Sequence, residues 1–70
     1  MIIYQAEYKY VHQIEPVHEV IGYFKNKNSA INKLEEKYKL NSVAKMVLGS
    51  DHRYVNGNNY YYINELKLED

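Results

Sequence analysis

The chain has no cysteine and no tryptophan, and only three glycines, one proline and one arginine in 70 residues. Without cysteine there is no disulfide and no thiolate metal site to brace a small domain. A chain this short buries only about 60% of the surface its unfolded form exposes. It is therefore expected to form one domain, with an idealised sheet or with help from self-association or a partner. No apolar run approaches the roughly 20 residues a membrane helix needs. Met1-Ile2-Ile3-Tyr4-Gln5 lacks the basic-then-apolar pattern of a secretory leader, which points to the cytoplasm. Nine Lys and Arg balance nine Asp and Glu. A generally basic nucleic-acid binder and an acidic DNA mimic are both excluded by that balance.

What the sequence does have is tyrosine. The apolar set is 46% of the chain, but nine of its members are Tyr. Lys, Asn, Tyr and Ile, all encoded by A/T-rich codons, are abundant, as is common in low-GC bacteria and their phages. This composition sets the expectation of a phage- or mobile-element-encoded protein.

Residues 2 to 12 alternate with a period of two. Ile2, Tyr4, Ala6, Tyr8 and Tyr10 share one face, and Ile3, Gln5, Glu7, Lys9 and Val11 the other, as in a strand. Pro16 cannot donate to a ladder and marks a turn, after which Val17 to Lys25 reads as a second, antiparallel strand. Ala30, Ile31, Leu34 and Tyr38 then fall at helical spacing, predicting a helix over 29–39 capped by Asn28 or Ser29. Leu40, Val43, Ala44, Val47 and Leu48 predict a second short helix capped by Asn41 or Ser42 and ended by Gly49. Val43 to Leu48 also fits a buried strand. Asn56-Gly57 predicts a type I′ hairpin turn between strands over 51–55 and 58–68. The expected fold is α+β: a small antiparallel sheet in the order β-β-α-(α)-β-β with helices packed on one face.

The runs IIYQAEYKY, EVIGYFKNKNSAINKLEEKY and YYYINELKLED resemble an uncharacterised family of short bacterial and phage-borne β-β-α-β proteins. The positions that carry the resemblance are Ile21, Gly22, Phe24, Ala30 and Leu34. It implies a fold in which these residues pack together, and it supplies no active site.

Candidate chemistry is sparse. His12 and His18 flank the first turn, with Glu7 or Glu19 nearby and His52 as a distant third ligand, but the spacing fits no zinc motif. Ser50-Asp51-His52 has the residue types of a triad, yet triads form in space and rarely from sequence neighbours. A local turn role for Ser50 and Asp51 is the simpler reading. Neither a phosphate loop nor a paired-carboxylate signature is present. No cofactor or metal is expected, and no enzyme.

Charge is segregated although it sums to zero. Residues 1–24 carry one Lys against three Glu, residues 25–45 six Lys against two Glu, and residues 46–70 one Arg and one Lys against four acids. Nine phenols cannot all be satisfied inside so small a core. Since Tyr61 points away from Tyr60 and Tyr62, an aromatic face outside the core is expected. Tyrosine offers large, rigid contact area, so the expected function is a non-enzymatic protein-binding module. It would act by occluding a host protein, such as a bacterial defence nuclease of the CRISPR type. Its contacts would be Tyr8, Tyr10, Tyr60 and Tyr62, with Lys33 and Lys37 at the rim. The alternative is a single-stranded nucleic acid or nucleotide signal stacked on Tyr and held by Lys25, Lys27 and Lys33. The long first strand and the last strand are also potential sheet edges, guarded only by Glu7 and Lys9 on the first and Glu65 and Lys67 on the last, from which a homodimer is expected.

Overall fold

The computed structural model describes residues 1–69. Its elements run β1 (Ile2–Tyr10), β2 (Val17–Phe24), α1 (Lys27–Tyr38), α2 (Ser42–Asp51), β3 (Arg53–Asn56) and β4 (Asn59–Lys67). All four strands pair antiparallel in the order β2-β1-β4-β3, and both helices pack against the same face of that sheet. The α+β layout expected from the sequence is the one observed.

Several boundaries move for local reasons. The α1 helix begins two residues early because Asn26, rather than Asn28 or Ser29, caps it. Asn26 Oδ1 accepts from the amides of Asn28 (2.8 Å) and Ser29 (3.4 Å). Asn41 caps α2 through the Ala44 amide at 2.9 Å. Residues 43–48 are therefore helical, and α2 continues through Gly49 to Asp51. His52, in the left-handed region at φ 63°, ends it. Ser50 and Asp51 thus belong to the last turn of a helix and not to a strand or its approach.

The β3–β4 hairpin also differs in detail. Asn56 pairs with Asn59, so the two turn residues are Gly57 and Asn58. Only Gly57 has positive φ, at +62°, the pattern of a type II′ turn in place of the expected I′.

Strand order carries the largest correction. β4 returns to pair with β1 along its whole length, from Ile2↔Lys67 to Tyr10↔Asn59. The two strands expected to be open edges are the two central ones. The actual edges are β3, which is only four residues long, and β2, which is broken by a bulge where Ile21 has no partner on β1. Both are common devices for blunting an edge. β1 is flanked on both sides over Tyr4–Tyr10 and β4 over residues 59–62, while residues 64–67 of β4 have a ladder partner only on the β1 side among the described residues.

The core forms where the helices meet the sheet. Ala6, Ala30, Leu34 and Leu48 are fully buried, with Ile31, Ala44, Tyr61 and Ile63 nearly so. Ala6 faces Gly22 across the β1–β2 ladder, and this small pair lets α1 approach closely. A Cβ on Gly22 would meet the Phe24 ring at 3.3 Å. Ile21 and Phe24 pack against the same cluster, so all five positions carrying the family resemblance lie in or beside the core. The molecule is only 19 Å across its thinnest axis. One helix layer of about 10 Å on one sheet fills that thickness, so the second face of the sheet is bare.

Candidate functional site

Antiparallel register assigns every strand residue to a face, because directly paired residues point the same way. Tyr8 pairs with Tyr61 and Ala6 with Ile63, which places Tyr4, Ala6, Tyr8 and Tyr10 under the helices. Glu7 pairs with Tyr62, Lys9 with Tyr60, Arg53 with Tyr62 and Val55 with Tyr60. These residues, with His18, Val20 and Tyr23 from β2, form the bare face.

The tyrosines divide accordingly. Tyr61 is buried, and Tyr4, Tyr8, Tyr38 and Tyr54 pack against the core around it. Tyr8 stacks on Tyr38 with centroids 4.5 Å apart and lies 5.3 Å from Tyr61, while its hydroxyl donates to Asn59 Oδ1 at 2.7 Å. Tyr38 closes the cluster 5.5 Å from Tyr61, but its hydroxyl is buried with no hydrogen-bond partner. That burial, reinforced by the negative charge of Glu19 and by the neighbouring phenols of Tyr8 and Tyr61, pushes its pKa from 10.0 up to about 12. Burial raises the Tyr61 pKa as well.

The expected contact set is therefore split. Tyr8 is half-buried on the helix side, packed against the core. Tyr10 sits on the helix side, where it stacks on His12 at 5.9 Å. Lys33 and Lys37 lie on α1, in the opposite layer, and Lys37 is paired with Glu19 of β2. None of these four shares a surface with Tyr60 and Tyr62.

Tyr60 and Tyr62 do stand together on the bare face. Their rings are within 11° of parallel with centroids 6.4 Å apart. Lys9 reaches over the Tyr62 ring, with Nζ 5.4 Å from its centroid. Arg53 flanks Tyr62 from β3 and is exposed. Among the described residues neither Lys9 nor Arg53 has an acidic partner. Sequence reasoning missed both cations. The period of two already put Lys9 on the face opposite Tyr8, but only the β1–β4 register puts it beside Tyr60.

The rest of the bare face is tied together by polar contacts. Gln5 Nε2 donates to the Tyr23 hydroxyl at 3.2 Å, and Asn64 Nδ2 donates to Gln5 Oε1 at 3.0 Å. Asn64 Nδ2 also lies 3.4 Å from Glu7 Oε1, while Glu7 Oε2 pairs with His18 Nε2. With only 14% of its side chain exposed, Glu7 is committed within the sheet. The chain Tyr23–Gln5–Asn64–Glu7–His18 crosses three strands and fixes side-chain positions next to the tyrosine pair.

The histidines do not converge. His12 Nδ1 accepts from the Ile14 (3.1 Å) and Glu15 (3.4 Å) amides inside the β1–β2 loop. His52 Nε2 lies 3.9 Å from Glu65 at the end of α2. No group of three potential metal ligands occurs among the described residues. A shallow open depression of about 540 Å³ lies at the loop end, lined by Val11, His12, Gln13, Ile14 and Asn58. No helix among the described residues is long and apolar enough to cross a membrane.

Comparison with protein-family models, with curated proteins and with solved structures finds no match to this chain.

Proposed function

We propose that the protein is a non-enzymatic binding module that docks a protein partner on the bare face of its sheet and acts by covering the partner's surface. The observation that supports this most is the placement of Tyr60 and Tyr62, parallel and half-buried on the face the helices leave open, beside exposed Arg53. Tyr and Arg are the residue types that most often carry interface energy. Val20 (41% exposed) and Val55 (43%) frame them with apolar area. Strands of 9, 8, 4 and 9 residues, at about 3.3 Å per residue and about 4.8 Å spacing, give a flat footprint of roughly 480 Å². That is smaller than the ~800 Å² per partner of a standard interface and fits the smaller, transient class. A host defence nuclease is one such target, occluded at a surface other than its nucleic-acid channel, because this face carries cations and does not mimic a polyanion.

A second reading, binding of single-stranded nucleic acid, is favoured by the Lys9–Tyr62 contact and the parallel rings. Two cations supply little counterion release. Phosphates would also gain nothing from Val20 and Val55.

The test is affinity capture from a lysate of the host cell with wild-type protein and with the double substitution Tyr60→Ser/Tyr62→Ser. The variant is expected to lose the captured partner while keeping its circular dichroism spectrum and melting transition. Undiminished capture by the folded variant would overturn the proposal.

A further inference from the structure

Building on the docking face described above, the geometry points to an acidic partner: we infer that Lys9, Tyr60, Tyr62 and Arg53 form one corner that receives carboxylates from a protein or peptide. On the bare face the only ion pair among the described residues joins His18 to Glu7, while Lys37–Glu19, Lys45–Glu35 and His52–Glu65 lie on the helix side. At this corner two cations flank Tyr62 with no acid opposite them. The one carboxylate on the same face, Glu7, already has both oxygens engaged by Asn64 and His18.

The corner is also shaped for carboxylate recognition. Arg53 on β3 is level with Tyr62 of β4 and Lys9 on β1 is level with Tyr60, so the two cations are two strands and two residues apart, about 12 Å. Arginine supplies a planar fork for bidentate contact, and lysine a mobile point charge. Among the described residues neither the Tyr60 nor the Tyr62 hydroxyl has a hydrogen-bond partner, so both remain as donors. An extended segment with acidic side chains three or four residues apart, about 10–13 Å, would meet Arg53 and Lys9 together. Its intervening residues would rest on the rings and on Val55. Such charge complementarity speeds encounter and selects against basic partners.

The experiment titrates ¹⁵N-labelled full chain, at low salt, with three probes: a Glu/Ala decapeptide, the same peptide with Gln for every Glu, and a ten-nucleotide oligothymidylate. The acidic peptide is expected to shift the amides of Lys9, Arg53, Tyr60 and Tyr62, and the Gln peptide to bind at least tenfold more weakly. Lys9→Glu/Arg53→Glu, exposed positions that leave the fold intact, should abolish the response. Equal response to the Glu and Gln peptides, no response to either, or a stronger response to the oligonucleotide would overturn the inference. In the capture assay, loss of partner by Tyr60→Ser/Tyr62→Ser but retention by Lys9→Glu/Arg53→Glu would remove the charge assignment and leave the docking face standing.

Discussion

Replacing Tyr38 by Phe should stabilise the protein, an unusual result for removing an atom from a core. The Tyr38 hydroxyl is buried without a hydrogen-bond partner, so folding strips it of water and returns nothing. An unsatisfied buried polar group costs about 1–3 kcal/mol, and phenylalanine keeps the ring that stacks 4.5 Å from Tyr8. A gain of about 1 kcal/mol is expected at pH 7, or about 4–8 °C in melting temperature for a domain of this size. The gain should grow in alkali. With its folded pKa raised to about 12, Tyr38 holds its proton in the native state after the unfolded chain begins to lose it near pH 10. Its contribution is therefore intact below pH 10 and is lost as pH rises from 10 towards 12. Two units would correspond to at most ~2.7 kcal/mol, and screening by solvent at the edge of the cluster reduces this to about 1 kcal/mol. Tyr38→Phe should therefore exceed wild type by about 1.5 kcal/mol at pH 11, where about half of that alkaline loss has developed. Some alkaline loss should persist in both, because Tyr61 is also raised. Urea denaturation followed by circular dichroism at pH 7 and near pH 11 measures both quantities. A variant less stable than wild type at pH 7, or one with an unchanged alkaline slope, would refute the reasoning.

Two glycines should respond in opposite directions to alanine. Gly49 lies inside α2 with ordinary backbone angles and open space, the nearest side-chain atom being Ile31 Cδ1 at 4.0 Å from a new Cβ. Gly49→Ala should add about 0.5–1 kcal/mol in chemical denaturation, and a loss would mean that α2 needs flexibility there. Gly57 holds φ +62° at the first position of the β3–β4 turn. Gly57→Ala should cost about 1 kcal/mol despite having nothing within 4 Å, and a neutral result would show that the turn adopts another type.

The elements were legible because they are written in local patterns. Alternation in β1 and β4, the spacing of Ala30, Ile31, Leu34 and Tyr38, and the Asn caps each act within a few residues. Strand order was not legible, because the pairing of Ile2 with Lys67 joins residues 65 positions apart and no local signal marks it. Length and hydrophobicity in β1 and β4 suggested exposed edges, but in an antiparallel sheet those same properties suit central strands. The candidate residues divide between two faces for a related reason. Alternation grouped Tyr8 and Tyr10 correctly on one face, but the side taken by the helices decides whether that face is contact surface or core. Ala6 between Tyr4 and Tyr8 was the available clue, since a small residue in a row of large ones marks where a helix comes close. The turn shifted by one residue because Asn-Gly and Gly-Asn are both good turn pairs, and Asn56-Gly57-Asn58 contains both.

The central claim is that the bare sheet face, centred on Tyr60 and Tyr62, meets the partner. Site-specific photo-crosslinking tests it most directly, with benzoylphenylalanine placed at position 60 and, separately, at position 46. Met46 is 66% exposed on α2, on the opposite layer of the molecule. The probe at position 60 should form a crosslinked adduct with the partner in cell lysate, and the probe at position 46 none. A strong adduct from position 46 with none from position 60 would place the interface on the helices and contradict the account.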